Sequence, residues 1–338
     1  MKNGITRFNF FLDQLQALLT KAEKQKNPGL WLYQNDARTP LFRLEGLAKL
    51  YAGLHDKKKF YKLKEHFKLL EDTLGAIDYY DSFAKEFGDN PNIPETVTGY
   101  LHAQSREKIQ SLNEALKENE WIGAEKSRVA KIKKKLGEID WQKSSAEIKS
   151  IRNFYYDAIS EIVAFTGKTN FHFSNVEADV HELRRKLRWL SIYPHALRGA
   201  IQLTSSRLKN GKLKPVPKYL EKYLTPEIIS SPFHKLPDAG DNKNFLLLEQ
   251  NYFYALSWMI DQLGKLKDSG LRLVAIREAL QQHSSITESE ALQKAKEYIG
   301  GDQPDLQQLL VKADGICKIY FKEQGLQKLV IGTATTVA

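Results

Sequence analysis

One cysteine, Cys317, in 338 residues removes any intrachain disulfide framework and suits a reducing compartment. Long apolar runs are missing too: none approaches the roughly 18 residues needed to cross a bilayer. The opening stretch MKNGITRFNFFLDQLQALLTK is interrupted by Asp13 and other polar residues at helical spacing, so it reads as an amphipathic helix instead of a signal peptide. A cytoplasmic protein with no membrane partner is expected. Two-residue alternation of apolar and polar residues is scarce, which leaves an all-α chain. No glycine-rich phosphate loop, His-Glu-x-x-His zinc helix or serine elbow is present. No histidine stands three positions after a glutamate, which removes the Glu-x-x-His signature of a di-iron bundle. Neither a metal nor a cofactor is expected.

Positive charge and helical periodicity are what remain. The chain carries 51 Lys+Arg against 41 Asp+Glu, a formal charge of +10, with 42% hydrophobic and 11% aromatic residues. Such a globular chain favours polyanions without choosing between nucleic acid, an anionic membrane and phosphates. The 3.6-residue period predicts helices over 6–26, 40–54, 57–87, 94–119 and 144–165, and then over 176–207 with a kink near Pro194. Further helices are expected over 244–267, 271–283, 288–299 and 304–324, with an extended or frayed tail from about residue 329. Pro40 and Pro94 suit first turns, and Asp56 suits the N-cap of the third helix. Lysine clusters at Lys57, Lys58, Lys59, Lys62, Lys64 and Lys68, and at Lys126, Arg128, Lys131, Lys133, Lys134 and Lys135, read as solvated faces unless a ligand is shown.

The stretch 180–189 (VHELRRKLRW) concentrates the argument. On a helix, His181, Arg184, Arg185 and Arg188 share an arc of about 100°, while Val180, Leu183, Leu187 and Leu190 face the other way. A solvated surface explains such spacing as well as a site does. Three guanidinium forks beside an imidazole are nevertheless suited to holding phosphate. Leu74-Gly75-Ala76-Ile77-Asp78 closes a long helical run in the first half, and Leu263-Gly264-Lys265-Leu266-Lys267-Asp268 closes one in the second. Each follows a helix bearing basic residues, around Arg43 and Arg184, so an internal duplication is expected.

These residues resemble the CHAD domain, the conserved histidine α-helical domain: a His-x-x-Arg with further basics one turn on, then Leu-Gly-x-x-Asp, duplicated once. The resemblance implies two pseudo-symmetric helical bundles, 1–168 and 169–338, with a basic groove between them. It further implies non-catalytic binding of inorganic polyphosphate or a related polyanion, in a cytoplasmic protein within reach of polyphosphate granules. In the second half His181, Arg184 and Arg188 fit the motif, with Trp189 and Ser191 where further basics are expected. In the first, Arg43 stands at the arginine position, Pro40 replaces the histidine, and Ile77 replaces the arginine before Asp78. Arg43, His181, Arg184, Arg185, Arg188, Lys64 and Lys267 are therefore the candidate anion-binding residues.

Other readings remain. His55-Asp56 invites comparison with helical metal-dependent phosphohydrolases of the HD type, although Asp56 serves equally as a cap. Residues 288–294 (ESEALQK) only faintly match the acidic strand motif of triphosphate-tunnel enzymes. The tyrosine pairs Tyr79-Tyr80 and Tyr155-Tyr156 could stack on nucleic-acid bases, and they suit helix packing as well.

Overall fold

The computed structural model describes residues 3–335 apart from 126, 206, 207, 210, 211, 214, 302 and 303. The first half is helical throughout: α1 (Asn3–Ala22), α2 (Pro28–Gln34), α3 (Arg38–Leu54), α4 (Lys57–Gly88), α5 (Glu95–Glu118), α6 (Arg128–Gly137) and α7 (Ser144–Lys168). Side-chain capping explains where α2, α4 and α6 begin. Asn27 accepts a hydrogen bond from the Leu30 amide ahead of Pro28, and Asp56 accepts one from the Lys59 amide. Ser127 does the same for α6. That helix falls in the second lysine cluster, of which Lys126 lies outside the described residues.

The second half departs further from a purely helical plan. A single π-helical turn (Val176–His181), capped by Asn175, feeds α8 (Glu182–Ala196), which accommodates Pro194. The helix expected to run to 207 stops earlier. Arg198 and Gly199 adopt positive φ, and a Cβ on Gly199 would lie 2.2 Å from the Asp238 carbonyl oxygen, so the sharp exit needs glycine. The chain then forms β1 (Ile201–Thr204), pairing parallel with β4 (Asn244–Glu249), which pairs antiparallel with β5 (Val330–Thr335). The expected helical start at 244 is thus a strand; a contiguous apolar run such as FLLL does not separate the two by periodicity.

A short hairpin, β2 (Leu208–Lys209) and β3 (Lys212–Leu213), and the short helices α9 (Lys218–Glu221) and α10 (Pro226–Ile229) fill the connection to β4. Next comes α11 (Gln250–His283), one helix where two were expected, because Gly270 packs against Val176 instead of breaking the run. Helices α12 (Glu288–Ile299) and α13 (Leu306–Lys322) both start on capping boxes, set by Thr287 with Glu290 and Asp305 with Gln308.

The larger apolar core runs across residue 168 without a break, from Phe8 and Leu12 through Leu44, Tyr155, Leu187 and Leu256. A second, smaller core joins the last turns of α4 and the start of α5 to Leu273, Ile276 and Ala279 of α11. A buried ion pair ties α1 to α7: Arg7 Nη1 lies 2.9 Å from Glu147, and Tyr51 on α3 bridges both at 2.7 Å. Both long helices, α4 and α11, take part in both cores. The cleft of interest lies alongside them. Among the described residues no helix is long and apolar enough to cross a membrane.

Candidate functional site

An open cleft of about 1680 Å³ is lined by α3, α4, the π turn, α8, residues 225–233 and α11. Two arginines are placed in it by one recurring contact. On α3, Arg38 lies against Gly75 of α4, where a Cβ would come within 2.7 Å of its guanidinium. On α8, Arg184 lies against Gly264 of α11, where a Cβ would come within 3.0 Å of its Nε. In both cases a mid-helix glycine, disfavoured by about 1 kcal/mol relative to alanine, opens the room that an arginine fills.

The arginine of the first half that makes the same contact as Arg184 is Arg38, whereas Arg43 makes no such glycine contact among the described residues. The sequence holds the signal: Arg38-Thr-Pro-Leu41-Phe-Arg-Leu44 lines up with Arg184-Arg-Lys-Leu187-Arg-Trp-Leu190, and all four leucines are buried. In that register Phe42 stands opposite Arg188 and Asn35 opposite His181. The actual neighbours repeat the theme, since the guanidinium groups of Arg38 and Arg188 rest on the same Phe42 ring, 5.1 and 4.5 Å from its centre.

The four arginines differ in their partners. Arg38 is neutralised, with Nε 2.7 Å from the buried Glu71 and Nη1 3.3 Å from Asp78. Among the described residues Arg43 donates to the Ile192 carbonyl oxygen alone, at 3.2 Å, and Arg184 to that of Ile260 alone, at 3.2 Å. Among the described residues no carboxylate reaches ion-pair distance of Arg43, Arg184 or Arg188. Burial lowers the Arg43 guanidinium to about 10. Burial, with the neighbouring Arg184, Arg38 and Arg43, brings Arg188 down to about 10 as well. Arg184 is lowered by burial and partly restored by Asp268 and Asp261.

The lining as a whole is not basic, which corrects the expected groove. Eight Lys and Arg side chains meet ten carboxylates. Most of these acids are already paired: Glu86 with Arg272, Asp261 with Lys265, Asp268 with Lys267, Glu288 with Arg277, and Glu177 with His181. Glu278 accepts from the hydroxyls of Tyr80 and Tyr100. Among the described residues pairing leaves Glu227 and Glu278 without a cation at ion-pair distance, and Arg43, Arg184 and Arg188 without a carboxylate, the three guanidinium groups being the unpaired positive charge.

No family model, curated protein or solved structure matches the chain. Function therefore has to be argued from the cleft.

Of the seven candidates, Arg43, His181, Arg184, Arg188 and Lys267 line the cleft. His181 presents its Nδ1 to Glu177 at 2.7 Å, and Lys267 is ion-paired with Asp268 at 2.8 Å, so each already meets a carboxylate within the cleft. Arg185 and Lys64 lie elsewhere. Arg185 is one residue round the helix from Arg184, exposed and bound to Glu182 at 2.6 Å. Lys64 sits beside Glu65 and Tyr61, near the half-buried Lys49.

On the far side of the cleft, Phe233 is 69% exposed, and its carbonyl oxygen accepts from His195 at 2.9 Å. Burial, then the charge of Arg43, lowers the His195 imidazole, which keeps it neutral. His55 packs among Tyr51, Phe60 and Trp141 instead of facing a ligand. Among the described residues, no group of three or more His, Cys, Asp or Glu side chains is placed to hold a metal ion. Tyr79 lines the cleft, while Tyr155 is buried and donates to the Leu190 carbonyl oxygen at 3.1 Å.

Proposed function

We propose that this protein binds inorganic polyphosphate or a related phosphate-rich polyanion, without turning it over, in the cleft between α3, α4, α8 and α11. One observation carries the reading: three half-buried guanidinium groups converge there with no carboxylate partner. Charge taken from water without a partner is costly, and a multiply charged anion removes that cost. Each charge-assisted bond to a guanidinium contributes on the order of 1.5–3 kcal/mol. Arg38, already committed to Glu71 and Asp78, positions Phe42 beneath Arg188 and leaves the anion to the other three.

The reading extends to ancestry. The chain is a divergent relative of the CHAD type, built from two related helical halves, with Arg38 on Gly75 in one and Arg184 on Gly264 in the other. The contact itself, a guanidinium seated over a mid-helix glycine, supports this view. In the first half the position of Arg188 is taken by Phe42, so the anion-holding role has passed mainly to α8.

A titration with inorganic polyphosphate across a range of salt concentrations tests the reading, alongside the Arg184→Ala, Arg188→Ala double variant. Salt-sensitive binding that the double variant loses is the expected result. Undiminished binding by the variant overturns it. Release of orthophosphate on adding Mg²⁺ or Mn²⁺ would instead indicate a phosphohydrolase, and equal competition by DNA at matched phosphate would indicate a nucleic-acid binder.

A further inference from the structure

The uneven pairing of charge bears on the size of the anion. We propose that the cleft selects a compact oligophosphate, on the order of three phosphoryl groups, one for each unpaired guanidinium, over a long polyphosphate chain. This rests on the phosphate-binding reading above and narrows it.

Among the described lining residues, unpaired positive charge is confined to Arg43 of α3 and to Arg184 and Arg188 of α8, while Glu227 and Glu278 stand in the same lining without a cation at ion-pair distance. Away from them, both long helices present ion pairs instead of free cations. Along α4 and α11 a departing chain meets Glu86 on Arg272, Asp268 on Lys267 and Glu288 on Arg277. Asp261 on Lys265 closes another side. In each pair the carboxylate lines the cleft together with its cation, so another phosphate must either displace it or lie against it. Like charges held together at an interface are penalised, and an extended chain gains nothing once the three guanidinium groups are filled. Counterion release then stops growing with length: at about 0.7–0.9 per neutralised phosphate, the slope of log K against log salt levels off near −2 to −3.

The experiment is calorimetric titration of the full chain with orthophosphate, inorganic triphosphate and a long inorganic polyphosphate, at several salt concentrations. The triphosphate is expected to bind more tightly than orthophosphate. The long chain is expected to bind no more tightly per molecule than the triphosphate, with the same salt slope. Adding adenosine triphosphate distinguishes a nucleotide source from an inorganic one. Both share the compact phosphate chemistry, and Phe233→Ala weakens only the nucleotide if its base stacks on that exposed ring.

A second variant gains a function instead of losing one. Glu86→Gln with Glu288→Gln frees the half-buried Arg272 and Arg277 of their carboxylate partners. It is expected to raise long-chain affinity by about tenfold and steepen its salt slope while leaving the triphosphate unchanged. Long-chain binding by the unaltered protein that tightens with length, with a steepening slope, overturns the size selection and leaves phosphate binding standing. Failure of every phosphate species to bind overturns both.

Discussion

Glu45 is a carboxyl with a measurable signature. It is buried on α3, and burial, with Glu71 nearby, lifts its proton affinity to about 7 from the ordinary 4.5 against the opposing pull of Lys68 and Lys64. Between those two values the folded chain holds a proton that the unfolded chain has released. Stability therefore falls as pH rises through that window and stays reduced above it, by at most on the order of 3 kcal/mol. Glu45→Gln removes that slope. Urea melts at pH 5 and pH 8 are expected to show the variant gaining on the parent protein at the higher pH. Arg7 behaves differently, because its removal leaves the buried Glu147 carboxylate without its cation, although the Tyr51 hydroxyl still donates to it. Arg7→Ala is expected to cost about 3–5 kcal/mol in the same melts.

The contacts of single helices separate stability from binding. Gly264→Ala places a methyl 3.0 Å from Arg184 Nε. The helix gains about 1 kcal/mol of intrinsic propensity, while the guanidinium is pushed from its seat. A melting temperature that holds or rises, together with weaker triphosphate binding, is expected from parallel thermal melts and titrations. This element also shows what sequence reasoning could reach. The period of 3.6 located α4 and the leucine face of α8, because buried faces leave a regular trace, and Asp56 announced its own helix start. The same period could not tell β4 from a helix, since Phe245-Leu-Leu-Leu248 is an unbroken apolar run although only Leu246 and Leu248 are fully buried. Nor could spacing alone reveal that Arg185 turns to Glu182 while Arg188 turns to Phe42. Partners such as Glu71, Ile260 and Gly264 are distant in sequence, and only the fold brings them together.

For the molecule as a whole, the formal charge of +10 is not stored in the cleft. Much of it lies on exposed lysines such as Lys57, Lys58, Lys59 and Lys62 at the start of α4, and Lys134 and Lys135 on α6. That charge attracts any polyanion at low salt and masks the specific site, so the cleft variants are best compared at about 0.15 M ionic strength, where the screening length is about 8 Å. The two long helices supply one more property. At 32 and 34 residues each is about 50 Å long, a beam resting on one core at one end and on the other core at the far end. Near mid-span each carries a glycine, the place where a beam yields first, and each glycine has an arginine laid across it like a splint. An anion that tightens its hold on Arg184 also braces the span of α11. Hydrogen exchange should then slow around Gly264 on addition of triphosphate, with Gly75, whose splint is already fastened by Glu71 and Asp78, changing far less.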